Sequence, residues 1–192
     1  MPIVHQPVED DALFEPDPAV VRAARAGDSS AFEELVRAYQ ADVWRLCLHL
    51  VRNEALADDV TQDAFVRAFR FLKRYRGESK FSTWLFSIAH NCAVDEIRRA
   101  GRRRRTQELL HAQRPAEPQD PAASMEIRYA IESLPIDLRA PMLLIDIFGL
   151  PYREAGRILK LPEGTVKSRV HRARVSVAEM LEPKQKRAND EI

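Results

Sequence analysis

The sequence predicts an all-α protein of two small helical domains joined by a flexible Pro-containing linker, the C-terminal domain carrying a helix-turn-helix. Three observations predict it. Apolar residues recur at steps of three or four along both halves of the chain, the spacing of a helix face and not the alternation of a strand. Between the halves, Pro115, Pro118 and Pro121 stand among Ala, Glu, Gln and Asp, where no stable helix can run. From Tyr152 to Arg174 two short helical patterns flank a tight break, and the second is rich in cations.

Composition narrows the function classes. With 192 residues, 45% of them hydrophobic, the chain can bury one core or two small ones. It has no apolar run of about 18 residues, and Met1 to Asp17 carries five acids and no Lys or Arg. Neither a membrane span nor a secretory signal is therefore expected, and the protein reads as cytoplasmic, without membrane insertion. Cys47 and Cys92 lie in apolar helical contexts without metal-ligand spacing, which predicts buried reduced thiols, no metal and no cofactor. No nucleophile–base pair or phosphate loop points to an enzyme.

The elements follow in order. Residues 1–17 read as an acidic disordered segment. Asp17-Pro18 opens a short helix that Gly27 ends, and Ser30 with Glu33 forms a capping-box pattern for the next. That helix carries Phe32, Leu35, Tyr39, Val43, Leu46 and Leu50 as its core stripe. Asn53 caps a third helix, with Leu56, Val60, Ala64 and Ala68 inside and Asp58, Asp59, Gln62 and Asp63 outside. After the break at Arg76-Gly77-Glu78-Ser79, a helix from Phe81 runs through Asn91 into Arg98, Arg99 and Arg102 to Arg105. Aromatic rings and an amide leading into clustered arginines suit single-strand binding, although at least two of Phe81, Trp84 and Phe86 are expected in the core.

The first module thus spans 18–105, the linker 106–124, the second module 125–182 and a charged tail 183–192. Fully extended, the linker could reach up to ~60 Å, more than the roughly 34–36 Å of one DNA turn. In the second module Pro135 acts as a stop and Pro141 opens the following helix. In the last helix Val166, Val170, Ala173 and Val177 share one stripe, while Ser168, His171 and Arg172 lie opposite with Lys167 at the edge. The cationic face suits a major groove.

Three blocks carry a family resemblance: Ala57-Asp58-Asp59-Val60-Thr61-Gln62-Asp63-Ala64-Phe65; Phe81-Ser82-Thr83-Trp84-Leu85 with Ile88-Ala89-His90-Asn91; and Glu132-Ser133-Leu134-Pro135 with Gly164-Thr165-Val166-Lys167-Ser168-Arg169 and Arg172-Ala173-Arg174. In this order the chain resembles bacterial RNA polymerase sigma factors of the extracytoplasmic-function (ECF) group. The resemblance implies a protein that binds core RNA polymerase, directs it to promoter DNA and promotes strand opening. It implies contact of Asp59, Gln62 and Asp63 with the clamp helices of the largest polymerase subunit, with the flap as a second docking point. Arg76, Glu78, Ser79, Lys80 and Asn91 would capture the minus-ten strand, with Arg98, Arg99 and Arg102 on the adjoining backbone. Lys167, Ser168, Arg169, His171 and Arg172 would read the minus-thirty-five element, and an anti-sigma protein would hold the factor inactive. The alternative is a helix-turn-helix regulator that binds DNA without polymerase. Ala155 and Gly156 depart from the family pattern, and a mid-helix glycine predicts either closer packing or a weaker module.

Overall fold

The computed structural model describes residues 13–108 and 123–181, and every regular element among them is helical. The first module is built from α1 (Pro18–Ala26), α2 (Ser29–Val51), α3 (Glu54–Phe71), a 3₁₀ turn (Leu72–Arg74) and α4 (Phe81–Glu108). The Asp17 carboxylate caps α1, and Gly27 ends it with φ 104° in the left-handed region that glycine enters without a Cβ penalty. For α2 the cap is Asp28, which accepts from the N–H groups of Ser30 and Ala31 at 2.8 and 3.1 Å. The expected Ser30–Glu33 box does not form, because Asp28 is the cap and places Ser30 inside the first turn, while Glu33 pairs with Arg37 instead. Asn53 caps α3 as its type predicts.

Leu35, Tyr39, Val43, Leu46 and Leu50 meet Val60, Ala64 and Ala68 of α3 and Leu85, Phe86 and Ala89 of α4 in the core. Phe81 and Phe86 are buried, as expected for two of the three aromatics, and Trp84 is half-buried. Helix α4 continues three residues into the segment assigned to the linker. At its other end Ala123 and Ser124, also assigned to the linker, open α5, and its middle (109–122), residues 1–12 and the tail from 182 lie outside the described residues. The last part of the acidic start does not match the disorder expected of it. Phe14 and Glu15 are fixed on the first module, where the Tyr39 hydroxyl donates to the Phe14 carbonyl and the Glu15 carboxylate receives donors from α4.

The second module comprises α5 (Ala123–Ser133), α6 (Ile136–Met142), a π-helical turn (Leu143–Ile147), α7 (Tyr152–Leu159) and α8 (Glu163–Leu181). Pro141 does not open a helix. It lies inside α6, which begins after Pro135. Lacking an N–H, Pro141 leaves the Asp137 carbonyl without its helical donor, and the guanidinium of Arg169 reaches that oxygen at 3.5 Å. The chain widens into the π turn directly after it.

The modules are packed on each other, not held apart. Helix α4 lies against α7, and the Phe86 and Phe148 rings meet edge-on with centroids 5.2 Å apart. Arg45 stacks over the same Phe148 ring at 5.0 Å. Buried Arg139 donates to the carbonyls of Glu132 and Leu134 in its own module and of Leu50 at the end of α2, while Arg52 donates to the Glu132 carbonyl. Helix C-termini expose such carbonyls and favour a cation. Nothing in the local spacing of these residues announces that they meet.

Candidate nucleic-acid interface

The helix-turn-helix is set by one backbone approach. Lys160 closes α7 in the left-handed conformation, its N–H facing the carbonyls of Arg157 and Gly156. A Cβ on Gly156 would stand 2.8 Å from the Leu161 carbonyl oxygen. The turn therefore passes directly over this glycine, which is the closer packing that its position predicts. Val166, Val170, Ala173 and Val177 bury the inner side of α8.

Lys167, Ser168, His171 and Arg172 lie exposed on the outer side. Lys167 pairs with Glu163 at 2.7 Å and sits 5.6 Å from the centre of the Tyr152 ring; the Glu163 hydrogen bond raises its pKa. Ser168 turns its hydroxyl back to the Thr165 carbonyl. Arg169 stands apart, half-buried and directed to α6. Arg174, outside the expected set, makes a two-point contact with Asp146 at 2.5 and 3.2 Å that ties α8 to the π turn.

In the first module the loop before α4 rests on an aromatic cluster. Phe81 lies 5.6 Å from Tyr39, 5.7 Å from Tyr75 and 5.5 Å from Trp84 between ring centres. The Tyr75 hydroxyl donates to the Ser79 carbonyl at 2.6 Å and closes the loop, while Gly77 turns with φ 74°. Arg76 and Glu78 stand 3.9 Å apart, but each is about four-fifths exposed, so their pairing is weak. Lys80 points to Glu154 of α7 at 3.3 Å. Asn91 is exposed on α4, as are Arg98, Arg99 and Arg102. At 100° per residue, Arg98 and Arg102 project within about 20° of Asn91, with Arg99 roughly 80° away. One stripe thus carries an amide and two guanidiniums.

Asp59, Gln62 and Asp63 are exposed on α3. Gln62 borders a groove of about 690 Å³ lined also by Asp42, Trp44, Arg45 and Asp58, in which the Trp44 indole N–H donates to Asp58 at 2.7 Å. Asp59 does not line this groove, and Asp63 faces Arg67 at 3.7 Å, which also reaches Asp95 on α4. Burial pushes the Cys47 thiol up to about 12 and raises Cys92, so neither is a ready thiolate. Among the described residues no cluster of His, Cys, Asp and Glu could hold a metal, and no helix is long and apolar enough to cross a membrane.

A helical module with a cation-faced helix-turn-helix, set against a second helix bearing an amide and arginine stripe, defines a nucleic-acid-binding protein. Residues 35–103 match the family model of sigma-70 region 2, and residues 124–177 that of sigma-70 region 4. The RNA polymerase sigma-H factor of Pseudomonas aeruginosa is 33% identical over 184 residues, covering 88% of this chain and 95% of that protein. The ECF RNA polymerase sigma-E factor of Escherichia coli is 35% identical over 182 residues, covering 87% and 95%. Among solved structures, the sigma factor RpoE in complex with the anti-sigma factor NepR from Bartonella quintana superposes with a TM-score of 0.67 at 25% identity, over 80% of this chain and 98% of that one. CnrH in complex with the cytosolic domain of CnrY gives 0.66 at 25% identity, over 85% and 96%. The chain belongs to the ECF group of RNA polymerase sigma factors.

Proposed function

We propose that the chain acts in the cytoplasm as a non-catalytic initiation factor that joins core RNA polymerase, brings it to a promoter and traps the opened non-template strand. Asp59, Gln62 and Asp63 contact the polymerase clamp. The loop from Arg76 to Lys80 and the stripe from Asn91 to Arg102 hold the minus-ten strand, at an unstacking cost of a few kcal/mol that loop and base contacts offset. Lys167, Ser168, His171 and Arg172 face the minus-thirty-five major groove. Arg169 contributes by fixing α6 against α8. An anti-sigma protein, the kind of partner present in the complex with NepR, holds this factor inactive.

The observation that carries the reading is the alignment of Asn91, Arg98 and Arg102 on one exposed side of α4. A regulator that reads only duplex through its helix-turn-helix has no use for such a stripe. Transcription by purified core polymerase on a promoter library tests it. The expected result is specific initiation only with this chain added, and strand opening lost in Asn91→Ala. No affinity for core polymerase, or promoter selection by the chain alone with equal strength, would favour the independent regulator.

A further inference from the structure

The segment from Leu13 to Asp17 lies before both family-matched regions, yet it holds the start of α4. Glu15 places its carboxylate over the first turn. One oxygen accepts from the Phe81 N–H at 3.1 Å; the other accepts from the Ser82 N–H at 3.2 Å and from the buried Ser82 hydroxyl. The first N–H groups of any helix have no partner within it and carry partial positive charge. Here an acid from a separate stretch of chain supplies the partner.

The strap that delivers Glu15 is anchored on both sides. Buried Tyr39 donates its hydroxyl to the Phe14 carbonyl, the Phe14 ring sits 6.0 Å from the Tyr39 ring, and Tyr39 in turn meets Phe81. Leu13 rests against the core, and Asp17, two residues beyond Glu15, caps α1. Phe81 is also where the loop from Arg76 to Lys80 ends, and the Tyr75 hydroxyl on the Ser79 carbonyl ties the start of that loop to its end, two residues before Phe81. The strap therefore holds the helix turn from which the loop closed by Tyr75 departs.

We infer that Glu15 is a positioning residue for strand capture, holding the first turn of α4 so that the loop and the Asn91 stripe keep one spacing as bases enter. The inference rests on the proposed role of that loop and stripe in binding the non-template strand. By occupying the N–H groups of Phe81 and Ser82, Glu15 also denies them to a strand phosphate, leaving Arg76 and Lys80 to meet the backbone.

The test uses the full chain with core polymerase on a promoter recovered from the library, as intact duplex and as a template premelted over the minus-ten stretch. Strand opening is read by permanganate reactivity of unpaired thymines, and core affinity by fluorescence titration. In Glu15→Ala, opening should fall roughly fivefold to thirtyfold, the range expected for losing a helix cap. Affinity for the premelted template should fall with it, while core affinity and helicity stay unchanged. Glu15→Gln, whose amide oxygen still accepts one N–H, should recover part of the loss. Wild-type opening in Glu15→Ala, or core affinity and helicity falling in step with opening, would overturn the inference. Failure of the unaltered chain to open any promoter would instead overturn the functional reading beneath it.

Discussion

The Lys80 ammonium lies 3.3 Å from one carboxylate oxygen of Glu154, and the other oxygen accepts the Thr83 hydroxyl at 3.1 Å. One acid on the first helix of the helix-turn-helix thus engages the first turn of α4. The partners are unequally exposed, the Lys80 side chain at 47% and Glu154 at 13%. Solvent screens the lysine, so Lys80→Ala should loosen the docked modules by less than about 1 kcal/mol. Glu154→Ala should cost more, about 1–3 kcal/mol, because it strands the buried Thr83 hydroxyl without its acceptor. Small-angle scattering on the free chain should show a larger radius of gyration for Glu154→Ala, with a smaller change for Lys80→Ala and helicity intact in both. Identical scattering curves would mean that Glu154 does not hold the modules together.

Gly156→Ala separates two opposing effects. Helix propensity favours alanine by about 1 kcal/mol. The new Cβ, however, would meet the Leu161 carbonyl at 2.8 Å, and that atom is backbone at the turn between α7 and α8. Overpacking of this kind costs typically 1–3 kcal/mol. The expected outcome is a lower melting temperature together with weaker upstream duplex binding by the polymerase complex, since the turn that aims α8 must shift. A stabilised Gly156→Ala protein would refute the close approach.

His90 predicts a pH dependence. Burial first, then the charges of Lys160 and Arg98, pull its imidazole from 6.5 down to about 4. The unfolded chain therefore binds this proton first as pH falls. The neutral histidine's contribution is intact above about pH 6.5 and is lost as pH falls toward about 4, amounting to at most about 3 kcal/mol. Denaturant unfolding at stepped pH should show a shallower acid loss for His90→Gln than for the wild type. Parallel curves would show that His90 does not take part in the acid response.

The helical pattern of both modules is legible because burial imposes a period, and Leu35, Tyr39, Val43, Leu46 and Leu50 occupy the inner face their spacing predicts. The outer face of α8 is legible for the same reason: once Val166, Val170, Ala173 and Val177 are inside, Lys167, Ser168, His171 and Arg172 must be outside. What stays hidden depends on contacts remote along the chain. Glu15 reads as one acid in an acidic run until Phe81 and Ser82 are seen beneath it. Glu154 and Phe148 carry no local sign of Lys80, Phe86 and Arg45, their partners from the other module. Pro141 misleads for a local reason. Proline at a helix start is the commoner arrangement, but here Arg169 and the π turn accommodate it inside the helix.

Arg172 and Arg174, two residues apart on α8, should behave oppositely when truncated. Arg174 is bound at two points to Asp146, whose hydrogen bond raises the guanidinium's pKa, and it ties α8 to the π turn. Among the described residues Arg172 meets no ion-pair partner, and it stands exposed on the outward side with His171. Arg172→Ala should leave the melting temperature within error and weaken promoter binding by the polymerase complex by about 1–3 kcal/mol if it meets a base edge. If it meets only a phosphate, binding should weaken evenly across promoter variants and the salt dependence should flatten by about one counterion. Arg174→Ala should lower the melting temperature, modestly because the pair is partly exposed. It should affect DNA binding only as far as α8 shifts. Equal losses of stability in both variants would place Arg172 within the fold and remove it from the reading face.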